Sequence, residues 1–145
     1  MAQETSPITR PTAVRRTLEI FSDPWSFAVL QEVFFGVHRF DAFQRNLGVS
    51  RTVLTKRLRH LVEHGVLVRR EYQRGRYEYR LTEAGRAMYP IFMSLHQWGE
   101  RWLEPRDGAP TISYLHEPCG RPTEPVMVCN RCGREIRAED MRELQ

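Results

Sequence analysis

The sequence feature that most constrains this chain is the segment 47–67, where a turn is followed by an amphipathic stretch and then by a glycine. The hydroxyl of Ser50 can accept a hydrogen bond from an otherwise unpaired amide in the first turn of a following helix, which makes this residue a natural N-cap. Gly65 is typical of the residue that follows a helix. The segment therefore predicts a helix that begins at Arg51 and ends just before Gly65.

The predicted helix has one apolar face and one polar face. Leu54, Leu58 and Leu61 recur at helical spacing and would point inward. A short helix, a turn and a second helix whose outer face carries hydroxyls and cations are typical of a helix-turn-helix, in which the second helix enters the DNA major groove. Taken alone, the segment fits an ordinary surface helix with solvated basic residues equally well.

A pair of strands is predicted directly after this helix. Residues 66–72 favour a strand, residues 73–76 contain the glycine of a tight turn, and residues 77–81 favour a return strand. Two arginines, Arg74 and Arg76, lie in or beside the turn. The two helices and this hairpin together predict a winged helix-turn-helix domain of the α+β class.

Several separate motifs in this order resemble the HxlR-type family of bacterial transcriptional regulators. The motifs are Phe40-Asp41-x-Phe43-Gln44, Leu54-Thr55-Lys56-Arg57-Leu58, Gly65-Val66-Leu67-Val68-Arg69, Glu78-Tyr79-Arg80-Leu81-Thr82-Glu83-x-Gly85 and Trp98-Gly99. The resemblance covers residues 13–103 and implies a homodimer formed through the first helix and a long C-terminal helix. Regulators of this kind often carry a sensing cysteine just before the first helix. Thr12 stands at that place here, so no sensing thiol is expected there.

The predicted DNA contacts are hydroxyl and cationic side chains on the second helix of the motif and on the wing. They are Ser50, Arg51, Thr52, Thr55, Lys56, Arg59, Arg74 and Arg76. The helix residues are expected at base edges or adjoining phosphates of the major groove, with the first two nearer the backbone. The wing arginines are expected at the neighbouring minor groove or its phosphates. A two-fold dimer predicts a pseudo-palindromic operator with half-sites about one helical turn apart.

Basic charge is concentrated in the same region. The whole chain carries a net charge of +4, whereas residues 50–80 hold nine Arg or Lys side chains against three acidic ones, a net charge of +6. A localised basic patch attracts a phosphate backbone, because neutralising phosphates releases counterions. The charge distribution therefore favours DNA binding over the surface-helix alternative.

The length of 145 residues suits one ordinary domain with a small appendage. We predict a flexible arm at 1–12, a winged helix-turn-helix domain at 13–103, a linker at 104–110 and a zinc-ribbon-like extension at 111–145. No run approaches the roughly 18 apolar residues that span a membrane, and the N-terminal segment lacks the apolar stretch of a signal peptide. A cytoplasmic protein without a membrane partner is expected.

Three helices are predicted ahead of the DNA-facing one. The first covers about ten residues on a helical spacing of apolar side chains, and the second runs over 24–35 behind a cap at Asp23. The predicted inward side chains are Phe27, Leu30 and Phe34 in the second helix and Phe40, Phe43 and Leu47 in the third. The aromatic residues of this region leave two interpretations open, an effector pocket for a small molecule or ordinary core. They are Phe21, Trp25, Phe27, Phe34 and Phe35.

After the wing, Thr82 can cap a helix that runs to about Leu103, with a kink or break near Tyr89 because Pro90 lies inside it. Its apolar residues alternate spacings of four and three, which is typical of a seam that pairs with a partner helix. The predicted dimer interface consists of Val14, Leu18, Met88, Ile91, Leu95, Trp98 and Trp102. The alternative is that the two tryptophans only cover the core of their own subunit.

All three cysteines lie in the C-terminal extension, in His116-x-x-Cys119-Gly120 and Cys129-x-x-Cys132-Gly133. Two such pairs have the form of zinc knuckles, and the predicted ligands of one structural Zn²⁺ are His116, Cys119, Cys129 and Cys132. Residues 126–128 would form a strand that leads into the second knuckle. A redox or electrophile switch, or cysteines with neither role, are the alternatives. No organic cofactor is predicted.

The predicted function is that of a homodimeric, sequence-specific DNA-binding transcriptional regulator. The alternative from another class is a winged-helix protein-interaction module with a structural or redox-sensing cysteine cluster. A zinc deaminase is disfavoured, because His116 and Glu117 are adjacent and no proline precedes Cys129. Four protein ligands would also leave no open position on the metal. The chain is therefore not expected to be an enzyme.

Overall fold

The computed structural model describes residues 12–106, 108–142 and 144, so the arm predicted at 1–12 lies outside the described residues except for Thr12. The described chain divides into two compact units, the first ending at Arg86 and the second beginning at Ala87. The long C-terminal helix is therefore grouped with the cysteine-containing tail.

The first unit has the element order of a winged helix. Its helices are α1 (Ala13–Ile20), α2 (Pro24–Phe34), α3 (Phe40–Leu47), α4 (Arg51–Glu63) and, after the wing, the short α5 (Glu83–Ala87). The wing strands are β1 (Leu67–Gln73) and β2 (Arg76–Leu81). They pair antiparallel with Leu67 opposite Leu81 and with a register shift between Glu71 and Gln73. Predicted and observed ends differ by only a residue or two.

The core of the first unit contains side chains from α2, α3, α4 and the start of β1. Its largest fully buried members are Phe43, Leu30, Leu54, Leu58, Leu61 and Leu67. Gly48 connects α3 to α4 in the left-handed conformation, with φ of 61°, and its amide donates to the Gln44 carbonyl. The inward leucine face predicted for the second helix of the motif is confirmed.

The inward face of α2 differs from the prediction. Leu30 is buried as expected, but its buried neighbours are Ser26, Val29 and Val33. Phe27 and Phe34 are only half-buried. The physical reason is that α2 is apolar around most of its circumference, so its sequence carries no strong amphipathic signal. In α3, Phe43 is fully buried, whereas Phe40 and Leu47 are half-buried.

The members of the predicted aromatic cluster differ in their exposure to solvent. Phe21 and Phe27 meet edge to face with 5.5 Å between ring centroids. Trp25 and Phe35 are exposed instead. An effector pocket built on these residues stays a prediction.

The predicted break in the C-terminal helix is confirmed. The Thr82 hydroxyl accepts a hydrogen bond from the Gly85 amide at 3.0 Å and caps α5. A second helix, α6 (Tyr89–Trp102), then starts after Met88 with Pro90 in its first turn. Proline is tolerated in a first turn because the amide that it lacks has no partner within the helix there.

In the second unit, α6 is covered by the tail on a face other than the predicted seam. Phe92 and Met93 are buried. The ring of Tyr114 contacts the rings of Phe92 and His96 edge-on, at 6.4 and 4.9 Å between centroids. His96 Nε2 also lies 2.9 Å from the Ile112 carbonyl. The tail therefore occupies one face of α6 and leaves the seam residues uncovered.

The tail contains a small hairpin of β3 (Tyr114–His116) and β4 (Arg121–Thr123). The strand predicted at 126–128 is not present, because only Val128 pairs, in an isolated bridge with Glu135. Val126, Met127 and Val128 are exposed, so no packed surface holds them in a longer strand. Among the described residues, no helix is long and apolar enough to cross a membrane.

Candidate nucleic-acid interface

Helix α4 presents the predicted contact residues to solvent. The Ser50 hydroxyl accepts a hydrogen bond from the Val53 amide at 3.3 Å, which confirms the predicted cap and sets the first turn of the helix. With Leu54, Leu58 and Leu61 buried, the remaining faces must point outward. The predicted helix contacts are all exposed, namely Ser50, Arg51, Thr52, Thr55, Lys56 and Arg59.

Five of these side chains share one shallow concave surface of α4. It is lined by Arg51, Thr52, Thr55, Lys56 and Arg59. Hydroxyls and cations on one surface suit both base edges and phosphates, because arginine and lysine donate to guanine and to phosphate oxygens. The structure thus brings the helix contacts together as the sequence predicted.

A second groove lies between α4 and the wing. Thr55 and Arg59 line it together with Val62, Glu63, Arg69 and Tyr79. Arg69 was missed by the sequence prediction, although it is exposed beside the recognition surface and stacks over the Tyr77 ring with 3.6 Å between its Cζ and the ring centroid. The register of the hairpin places Arg69 opposite Tyr79. This register is the signal that could have identified Arg69 as part of the groove.

The wing tip is held by a hydrogen bond from within the hairpin. Gly75 has φ of 72°, which a glycine adopts without a steric cost. Its amide donates to the Glu71 carboxylate with 2.6 Å between N and Oε1. Arg74 and Arg76 flank this glycine and are both exposed. The short, charge-assisted bond therefore restrains the loop that carries the two wing arginines.

Arg57 is a cation of α4 that serves the fold. Its Nε lies 3.2 Å from Asp23 Oδ1, and both side chains are largely covered. Arg57 Nε is buried and has no hydrogen-bond partner among the described residues, so this contact does not have the geometry of a hydrogen bond. The contact is therefore best regarded as a close charge pair that ties α4 to the start of α2.

Asp23 also caps α2. One carboxylate oxygen accepts from the Ser26 amide at 2.8 Å and the other from the Ser26 hydroxyl at 2.6 Å. Burial raises the pKa of Asp23, but the hydrogen bonds from Ser26 and the charge of Arg57 outweigh it, and the net result is a lowered pKa. The ionised carboxylate is thus the form that the fold prefers.

Paired charges reduce the free positive charge of the hairpin. Arg80 donates to both carboxylate oxygens of Glu78, at 2.9 and 3.1 Å. The hydrogen bond from Arg80 lowers the pKa of Glu78. Arg57 and Arg80 are both engaged in this way, and the exposed cations that remain in this region include those on the outer face of α4, Arg69 on β1 and the two wing arginines.

The predicted metal ligands lie in two turns of the tail. Hydrogen bonds from the Cys132 and Arg131 amides lower the pKa of the Cys129 thiol. Cys119 and His116 lie at the β3–β4 turn. Within the described residues, no group of three or more His, Cys, Asp or Glu side chains is gathered so that it could hold a metal ion. The structure therefore places Cys129 and Cys132, both free thiols, in one turn without bringing the four predicted ligands to one point.

The sequence profile of the HxlR-like helix-turn-helix family matches residues 20–107. This range includes the whole helix-turn-helix, the wing and α6. The chain belongs to the HxlR-like family.

Relatives within and around this family carry regulatory names. An uncharacterised HTH-type transcriptional regulator of Mycobacterium tuberculosis is 44% identical over 131 residues, which span 89% of this chain and 82% of the relative. The crystal structure of PA1607, provisionally named a transcription factor, has a TM-score of 0.82 and 34% identity, covering 94% of this chain and 96% of that one. The oxidised form of HypR, named a redox regulator, has a TM-score of 0.58 and 30% identity and covers 65% of this chain and 100% of that one.

As an HxlR-like protein, this chain is a DNA-binding transcriptional regulator of the winged helix-turn-helix class. HypR covers 65% of this chain, whereas PA1607 covers 94% of it. The tail beyond α6 is thus a feature that this HxlR-like chain has in common with PA1607.

Proposed function

We propose that this regulator acts as a homodimer on a pseudo-palindromic operator. In each subunit α4 enters the major groove, where Thr52, Thr55, Lys56 and Arg59 read base edges and adjoining phosphates. Ser50 and Arg51 lie nearer the backbone, and the wing arginines reach the neighbouring minor groove. The named relatives are bacterial proteins, and bacteria keep their DNA in the cytoplasm. We therefore expect the protein to act there.

The observation that carries this proposal is the exposed face of α4. Five contact side chains line one surface on a helix that is anchored by three fully buried leucines. A rigid helix with an uncovered polar face can place those side chains at base edges without first rearranging, which favours specific over purely electrostatic binding.

Dimerisation is supported by uncovered apolar side chains on α1 and α6. Leu18 is 57% exposed, and Trp98 and Trp102 are 57% and 65% exposed. The alternative that the tryptophans cover their own subunit is therefore not supported. Val14, Ile91 and Leu95 are exposed as well, and Met88 is half-buried. The exposed apolar side chains of α6 recur at the spacing of one helix face, and such a patch is typical of a surface that a partner covers.

Selection of bound fragments from a random DNA pool tests the proposal. We expect the purified protein to enrich an inverted repeat whose half-sites are about one helical turn apart, roughly 10 base pairs from centre to centre. Enrichment of a single unrepeated site would contradict the dimeric part of the proposal. No enrichment, together with equal affinity for all duplexes, would contradict sequence-specific reading by α4.

A further inference from the structure

The C-terminal tail has too little burial to hold itself together. Among residues 111–142 and 144, which the structure describes, none is fully buried. Leu115, Val126 and Met127 are exposed. A segment this short cannot offset its conformational entropy by hydrophobic burial, and small folds of this kind usually depend on a disulfide or a metal ion. Apart from its packing on α6 through Tyr114, the tail has little burial of its own, so a link between its turns would stabilise it.

The two cysteine-containing turns have the same local geometry. In the first, the Gly120 amide donates to the His116 carbonyl at 2.8 Å, and Gly120 has φ of 65°. In the second, the Gly133 amide donates to the Cys129 carbonyl at 2.8 Å, and Gly133 has φ of 72°. Each turn thus holds two potential ligands separated by two residues and ends in a left-handed glycine, the arrangement of a zinc knuckle.

The second turn is the better prepared of the two. The Arg131 amide donates to Cys129 Sγ at 3.4 Å. An amide directed at sulfur stabilises a metal-bound thiolate and fixes its orientation. In the first turn, Cys119 Sγ lies 3.5 Å from the His116 carbonyl, so this thiol still faces its own backbone.

We propose that the two turns close on one Zn²⁺ ion, which His116, Cys119, Cys129 and Cys132 coordinate. The described conformation does not gather these side chains, so binding requires the turns to approach each other. Three of the four residues are exposed and Cys129 is half-buried, so their side chains can rotate without breaking a packed core. The connection at 124–127 contains no helix or strand that would resist closure.

The choice of Zn²⁺ follows from the ligands and from what the tail needs. Three thiols and an imidazole suit zinc, whereas magnesium and calcium prefer oxygen. A disulfide between Cys129 and Cys132 would close only a very small loop and would join no separate segments, so it would stabilise the tail little. Zinc would link the two turns, and each thiol that coordinates it would release its proton to solvent. With four protein ligands the site would be structural.

Metal analysis of the full chain, purified without a histidine tag, tests this inference and does not depend on DNA binding. We expect one zinc per chain and, after exchange for Co²⁺, a thiolate-to-metal charge-transfer band with the intense visible bands of a tetrahedral site. Cys119→Ser and Cys132→Ser should each lose bound zinc and weaken that band. Glu117→Gln, which changes a neighbour that is not a ligand, should retain both.

Two results would overturn the inference. One is a chain that is free of zinc and gives no charge-transfer band with Co²⁺ under reducing conditions. The other is a band that is unchanged in Cys119→Ser, since the first turn would then contribute nothing. A mass loss of two hydrogens on treatment with a hydroperoxide, in a chain that binds no metal, would point to a Cys129–Cys132 disulfide instead.

Discussion

At the scale of single residues, the cations of this protein divide into those that face DNA and those that hold the fold. Arg59 is exposed on α4 and lines both grooves of the recognition surface. Arg57, two residues earlier, lies against Asp23 instead. The charge near the helix-turn-helix therefore overstates the number of side chains available to phosphates.

The exposed arginines are expected to differ in what they contribute. Arg59→Ala should lose roughly 1–3 kcal/mol on the selected operator and relax base preference, because it removes a base-edge donor. Arg76→Ala should weaken binding to all sequences alike and reduce the salt slope by about one, because it removes a phosphate contact. Fluorescence anisotropy on operator and random duplexes at several salt concentrations measures both quantities. Equal losses on both duplexes for both variants would contradict this division.

Asp23 gives a pH dependence whose sign can be stated. Its pKa is lowered in the folded protein, so its contribution to stability is fully present above the unfolded pKa and is lost as the pH falls through the folded value. Asp23→Asn keeps a side-chain acceptor at the N-cap but removes the charge. The variant should be less stable at neutral pH, and the difference from wild type should shrink in acid. Chemical denaturation at several pH values tests this, and a constant difference would rule out ionisation as the cause.

At the scale of elements, the join between the wing and α5 depends on a glycine. Gly85 is buried, and a Cβ at this position would overlap the Val66 carbonyl oxygen and lie 3.1 Å from Leu81 Cδ2. The Thr82 hydroxyl bonds to the Gly85 amide and to the Val66 carbonyl in the same place. The motif Thr82-Glu83-x-Gly85 therefore has a packing reason, which is the close approach of α5 to the backbone of Val66, just before β1.

Gly85→Ala is expected to destabilise the protein by roughly 1–3 kcal/mol, because backbone atoms must move to admit the methyl group. Glu83→Ala is the matched control, since Glu83 is exposed in the same helix and surface changes usually stay within about 0.5 kcal/mol. Urea unfolding followed by circular dichroism gives both values. If Gly85→Ala were as stable as the control, the close approach described here could not be correct.

Also at this scale, the two faces of α6 differ in their surroundings. The tail covers Phe92 and Met93, whereas the predicted seam residues are exposed or half-buried. Heptad spacing alone does not distinguish a seam that meets a partner subunit from one that meets the same chain. The observed cover by the tail leaves the seam free for a partner.

At the scale of the whole molecule, we propose that operator recognition depends on dimerisation. Leu18→Glu and Trp98→Glu should each give a monomer, because a buried charge at an apolar interface is costly. Val126→Glu is the control, since Val126 is also exposed but lies outside the predicted interface. Light scattering after size exclusion measures the mass. In Leu18→Glu and Trp98→Glu, but not in the control, the affinity for the full operator should fall to the affinity for one half-site. If both variants remained dimers, the proposed interface would be refuted.

The sequence alone was sufficient to predict the helix-turn-helix, the wing and the break before α6. These features are local, because a cap such as Ser50, the leucine spacing of α4 and the position of Pro90 act within one or two turns of chain. Local signals also predicted which side chains of α4 are exposed, since the inward leucines determine which residues face outward.

Only the tertiary structure decided which side of the apolar helix α2 is buried and that Arg57 lies against Asp23. It also decided that Arg69 lines the groove between α4 and the wing and that the tail covers Phe92 and Met93. These outcomes depend on distances between segments far apart in the chain, such as Asp23 and Arg57. Periodicity shows that a side chain needs an apolar or charged neighbour, but it carries no information on which distant residue supplies that neighbour. That choice is made when the elements pack.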